Sequence, residues 1–152
     1  MTEPKKILLS ILLCLFLPIV EAQQIIINEL MSMNTNTIID FDGEYSDWIE
    51  IYNNGSTSVN LMGYYLSDKK SNLTKWKFPN ITIEPQQYLL VWASGKNMVY
   101  NNGEIHTNFS INADGEIIYL VAPNGVTIID QRNNKALPPN ISMGRKPGNN
   151  TD

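Results

Sequence analysis

The sequence predicts an all-β fold, an antiparallel sandwich or barrel, on three observations. No window sustains a helical period. Short alternating or β-branched runs recur along the chain. Asn-Gly and Asp-Gly turn chemistry separates those runs. The runs place strands at 25–31, 48–52, 59–61, 64–67, 75–78, 88–93, 116–122 and 126–131. Asn53-Asn54-Gly55 follows the second run and Asp114-Gly115 precedes the seventh. Pro123-Asn124-Gly125 joins the last two runs, and both residues of an Asn-Gly pair tolerate the positive φ of a tight hairpin. Pro79 and Pro85 fall between strands, where a missing N–H does no harm. Ile49 and Ile51 alternate with Trp48, Glu50 and Tyr52, and Ile118 and Leu120 alternate with Ile117, Tyr119 and Val121. Neither face of these two strands is fully polar, so they sit inside a sandwich or have one face covered by a loop or a partner.

The N-terminal stretch has a different character. Lys5 and Lys6 precede an apolar run over 7–20, broken by Ser10 and Pro18, and Ala22 supplies a small residue at a cleavage position. This is the layout of an export signal over residues 1–22. The run is shorter than the roughly 20 residues a membrane-spanning helix needs. Cys14 is the only cysteine, and Leu13 before it lacks the small size expected ahead of a lipidated cysteine. The expected organisation is a signal at 1–22, one sandwich domain at 23–146 and an irregular tail at 147–152. The expected location is secreted, periplasmic or on the cell surface, with membrane contact only through the signal.

The chain has 152 residues and a formal net charge of −4. Lysines are scattered, with Lys69, Lys70, Lys75 and Lys77 the nearest approach to a cluster, so binding to a nucleic-acid backbone is not expected.

Candidate chemistry is sparse. His106 is the sole histidine, so any Ser/His/acid site must use it, and no nucleophile-elbow pattern surrounds a serine. One histidine and a single cysteine within the export signal make a poor zinc set. Asp40, Asp42, Glu44 and Asp47, with Gly43 for a turn, are the best oxygen ligands for Ca²⁺. Their spacing departs from an EF-hand loop, and they read first as a solvated acidic loop; no metal or cofactor is expected. Glu29 and Glu50 could act as paired carboxylates, but both sit in strand patterns and read as structural. Among the aromatics, Trp48 and Trp92 read as core. Trp76, between Lys75 and Lys77, is expected near the surface, where with Tyr64, Tyr65 and Tyr100 it could face a surface glycan.

Three stretches carry a resemblance. The first is Ile26-Ile27-Asn28-Glu29-Leu30-Met31. The second is Asp47-Trp48-Ile49-Glu50-Ile51-Tyr52-Asn53, continued by Leu61-Met62-Gly63-Tyr64-Tyr65-Leu66-Ser67-Asp68. The third is Asp114-Gly115-Glu116 running into 117–121, with Ser142-Met143-Gly144-Arg145 further on. In this order they resemble the lamin-tail domain in its bacterial, exported form, over most of the chain after residue 25. The resemblance implies an immunoglobulin-like antiparallel β-sandwich with no catalytic residues of its own. It further implies an interaction or scaffold module whose protein partner the sequence does not name; the alternative is a carbohydrate- or cell-wall-binding module. One departure stands out. After Arg145 the family's usual closing strand has no counterpart. The segment from 136 onward, with Pro138, Pro139, Gly144, Pro147 and Gly148, is therefore expected to be irregular. That leaves a neighbouring strand with unpaired backbone groups. Either the reading frame is shortened, or the open edge pairs with a partner strand.

Overall fold

In the computed structural model, which describes residues 24–146, there are ten strands: one on each of the eight expected runs and two, at 82–83 and 143–144, outside them. They are β1 (Ile25–Met31), β2 (Asp47–Asn53), β3 (Val59–Asn60), β4 (Tyr65–Ser67), β5 (Trp76–Lys77), β6 (Thr82–Ile83), β7 (Tyr88–Ala93), β8 (Gly115–Val121), β9 (Ile128–Lys135) and β10 (Met143–Gly144). No α-helix occurs among the described residues. The export signal at 1–22 and the tail at 147–152 lie outside them.

One sheet has the order β10-β1-β2-β7 and a second β5-β4-β8-β9, with β3-β6 as a small ribbon. Every strand pair is antiparallel. The core lies between the two larger sheets, where Ile27, Leu30, Ile49, Ile51 and Val91 meet Leu66, Ile118 and Leu120, all fully buried. Each such side chain contributes about 1.5–3 kcal/mol over its exposed state. The period of two along β2 does the sorting. Ile49 and Ile51 enter the core, while Trp48 points outward and joins Met31 and Trp92 in a separate buried cluster. Register aligns this cluster, since Trp48 lies opposite Met31 on one side and Trp92 on the other.

Trp76 departs from expectation. It is buried in the core, edge-on to Phe78 at 4.9 Å between ring centroids, and only its neighbour Lys77 faces solvent. Flanking lysines misplace it because alternate residues of a strand occupy opposite faces.

The end of the chain also differs. β9 runs four residues past the expected stop at 131, and β10 pairs with β1, placing Glu29 opposite Gly144 and Leu30 opposite Met143. A two-residue strand thus covers this part of the β1 edge. No strand forms between 136 and 142, yet that segment is anchored: the Asn140 amide donates to Met33 O at 2.8 Å, and Asn140 Oδ1 accepts the amides of Thr35 and Asn36.

Beside β10 the edge of β1 is closed by side chains. Asp130 Oδ2 accepts the Ile27 amide at 2.8 Å, and Arg145 Nε donates to Ile27 O at 3.0 Å. Arg145 Nη2 lies 2.8 Å from both oxygens of Asp130, and the Arg145 amide donates to Asn28 O at 2.9 Å. The edge of β1 is therefore occupied, by a short strand and by these two side chains. At β7 the outer side is met by residues 105–110, through bridges from Trp92 to His106 and from Ser94 to Ser110. β9 meets no further strand among the described residues. A groove of about 390 Å³ runs beside it, lined by Arg132, Asn133 and Lys135 of β9 and by residues 143–146.

Candidate functional site

The acidic loop that the sequence offers as a calcium site does converge, but around an ammonium. Lys96 Nζ lies 2.6 Å from Asp40 Oδ2, 2.7 Å from Asp42 Oδ2 and 3.0 Å from Glu44 Oε2. Asp47 takes no part; its carboxylate accepts the Ile111 amide at 3.3 Å. Asp40 is the organiser. Its Oδ1 accepts the amides of Asp42 and Glu44 at 3.0 Å each, and its Oδ2 also accepts Ser46 Oγ at 2.8 Å. Burial alone would raise the Asp40 carboxyl, but the bonds from Lys96, Ser46 and the Glu44 amide outweigh it and hold the group at about 2. For Lys96, burial works against the charge, and its three carboxylates outweigh that and push it up.

Lys96 belongs to a second loop, which turns at 100–104 and returns along β7. The Tyr100 amide donates to Glu104 O, His106 N to Met98 O, and Thr107 N to Trp92 O. The two loops meet at further points. Phe41 N donates to Glu104 Oε2 at 2.9 Å, the Phe41 and Tyr100 rings lie 5.1 Å apart, and the Tyr100 hydroxyl donates to Asp42. The loops so joined expose Ile38, Ile39, Phe41, Tyr45, Met98 and Val99, each to between 40% and 59%. Large apolar side chains concentrated on two ordered loops are the usual mark of an interaction surface. The sequence carries the signal in Ile38-Ile39 and Met98-Val99, which interrupt otherwise polar loops; attention to the carboxylates hid it.

His106 sits beneath this surface, fully buried, with Nδ1 2.8 Å from Ser94 Oγ and Nε2 3.7 Å from Glu104 Oε2. Burial lowers the imidazole's affinity for a proton, and the Lys96 charge lowers it further. A hydroxyl, an imidazole and a carboxylate thus meet, but the ring is packed under Trp92 and Tyr100 and reaches no solvent. The Glu104 separation is too long for a hydrogen bond. A substrate has no path to the imidazole.

The motif residues are placed as framework. Asn28 sits at a bulge of β1 and donates to Glu50 Oε1 at 2.6 Å. Glu29 lies directly opposite Glu50 across the strands. Burial raises the Glu50 carboxyl, the Asn28 bond offsets part of this, and Glu29 adds to it. Tyr52 stacks on Tyr88 at 4.5 Å. Asn53 is buried; its amide group donates to Thr57 O and Ile83 O, and its Oδ1 accepts the Gly55 amide. Asp68 holds Lys75 through both oxygens at 2.7 Å. Glu116 accepts the Asn112 amide at 2.7 Å, and burial raises its carboxyl. Gly63 and Gly115 adopt φ of 93° and 109°. At Gly115 a Cβ would also lie 2.7 Å from Asn134 O, so no other residue fits. Gly144 lets Glu29 pass, whose carboxyl carbon would lie 3.3 Å from an added Cβ.

Two antiparallel sheets face to face, with the motif residues spent on bulge, turns and edge closure, define an immunoglobulin-like sandwich module. Residues 20–135 match the model of the Lamin Tail Domain family, and the chain belongs to that family. No curated protein matches the chain.

Proposed function

We propose that this lamin tail domain is a secreted or surface-exposed, non-catalytic module that docks a protein partner through the two loops joined at Lys96. The observation that carries this reading is the set of exposed apolar side chains on those loops, from Ile38 to Val99, held in place by an ion cluster. Ordering before binding reduces the entropy an interface must offset. Export is supported by the basic start and the apolar run before Ala22. The glycan alternative has less support, because Trp48, Trp76 and Trp92 are all buried and Tyr52 and Tyr88 stack on each other.

A second docking mode, pairing of a partner strand, is favoured at β9, which ends its sheet beside a groove of about 390 Å³. One experiment separates the two. A photo-crosslinking residue is placed at Val99, at Asn133 or at Val126, and the full chain is expressed in its source cells. A discrete adduct from Val99 alone, recovered outside the cytoplasm, is the expected result. An adduct from Asn133 alone transfers the function to β9. Equal labelling at all three, including the control on the β8–β9 turn, overturns the reading.

A further inference from the structure

We infer that the occupant of the joined loops is a cationic, apolar segment of a partner protein, an inference that rests on the docking reading above. The charge around the apolar residues is one-sided. Residues 32–46 contain Asp40, Asp42 and Glu44 and no lysine or arginine, while 94–107 contain Glu104 and, as their one cation, Lys96. The two loops thus hold four carboxylates against one ammonium, which Asp40, Asp42 and Glu44 share, while Glu104 accepts the Phe41 amide and Asn102 Nδ2. The excess reaches solvent: the Glu44 and Asp42 side chains are 65% and 38% exposed, whereas that of Asp40 is sealed. His106 adds no positive charge near neutral pH, since burial lowers its proton affinity.

This pattern selects among occupants. Apolar side chains on loops whose carboxylates outnumber their one ammonium suit a segment whose hydrophobic residues cover them and whose Lys or Arg side chains meet the exposed Asp42 and Glu44. An anionic lipid surface offers apolar depth but carries the wrong charge, and the carboxylates repel it. A second copy docked about a two-fold axis would set each acidic rim against itself, because the same patch faces itself in such an interface. The neutral alternative, a purely apolar groove filler, leaves the exposed carboxylates desolvated without partners.

The test is selection of random peptides displayed on phage against the full chain, with counter-selection on the Ile39→Ser/Val99→Ser variant. Both positions are exposed, so the fold survives the change. Expected are peptides that combine apolar residues with Lys or Arg, lose binding to the variant, and weaken about tenfold between low and physiological salt. Loop-dependent peptides that are neutral or acidic would sink the cationic occupant while leaving the docking surface intact. Absence of any loop-dependent peptide, with the Val99 adduct still formed in cells, would also sink it. Phosphatidylglycerol vesicles bound by the wild type and not by the variant would assign the surface to lipid. A dimer abolished in the variant would assign it to a second copy. If the Val99 adduct fails as well, the docking reading itself falls.

Discussion

Asp130 and Arg145 together occupy the place of a strand beside Ile27, one accepting its amide and the other donating to its carbonyl. Both side chains are over nine-tenths buried, and their ion pair is 2.8 Å long. Arg145→Ala removes the cation, leaves the Asp130 carboxylate buried, and uncovers the edge of β1. Loss of one partner of a buried pair costs about 3–5 kcal/mol. Urea melts should show a loss of that size, and sedimentation should show association that grows with concentration, since an uncovered edge pairs with other chains. A stable, monomeric Arg145→Ala protein would deny the pair this role.

Asp47 and His106 titrate against each other. Burial raises Asp47 to about 6 from an ordinary 3.8, so the folded state holds its proton more tightly and Asp47 favours folding as pH falls through 6. His106 is lowered from 6.5, so the unfolded state binds its proton first and stability from His106 is lost as pH falls below 6.5. Relative to the wild type, Asp47→Asn should lose stability as pH falls from 7 to 5, and His106→Gln should gain it. Thermal melts across that window decide; parallel profiles for the two variants would refute the opposition.

Lys96 fills the centre of three carboxylates whose oxygens lie within 4.8 Å of one another. Millimolar Ca²⁺ should leave the wild-type melting temperature unchanged. Lys96→Met should destabilise by about 3–5 kcal/mol, because Asp40 keeps a buried charge without its partner. In that variant Ca²⁺ should restore stability, by about 2.7 kcal/mol at a hundred times its dissociation constant. A wild-type response to Ca²⁺ equal to that of the variant would show that the ammonium does not hold the site.

Ser94 touches an imidazole, yet the ring is sealed. A fluorophosphonate probe should leave Ser94 unlabelled in the folded chain. Ser94→Ala should cost about 1–3 kcal/mol, because Oγ also accepts the Lys96 amide and its loss leaves the buried imidazole Nδ1 without a partner. Labelling that stops on heating would point to a working nucleophile.

Strands with apolar alternation were legible in the sequence: β1 and β7 appear at the residues expected, and β2 and β8 within one residue of them. The second half of β9 was not, because its buried positions are Arg132 and Asn134, which break the hydrophobic period while still facing inward. β10 was hidden for a related reason. Two residues carry no period, and their pairing is fixed by Arg145 reaching Asn28 and Ile27. The acidic loop was legible as a cluster, but its counter-ion lies 54 residues from Asp42 in sequence, a distance that no local pattern encodes. The motif residues read as framework because each strand or turn needs them locally; the segments at 32–46 and 94–107 read as mere loops because the contacts that join them are long-range.

The contact from Arg145 to Ile27 spans 118 residues, so β1 must wait for residues made long after it. Contacts this distant in sequence slow folding, and β topologies rich in them mature in milliseconds to seconds or more (on the order of 10³ times slower than helical bundles). Until Arg145 has emerged, β1 has an open edge and the first sheet lacks its final member. The interval between the two is the period in which that edge is open to pairing with another chain, and the arrival of one arginine ends it.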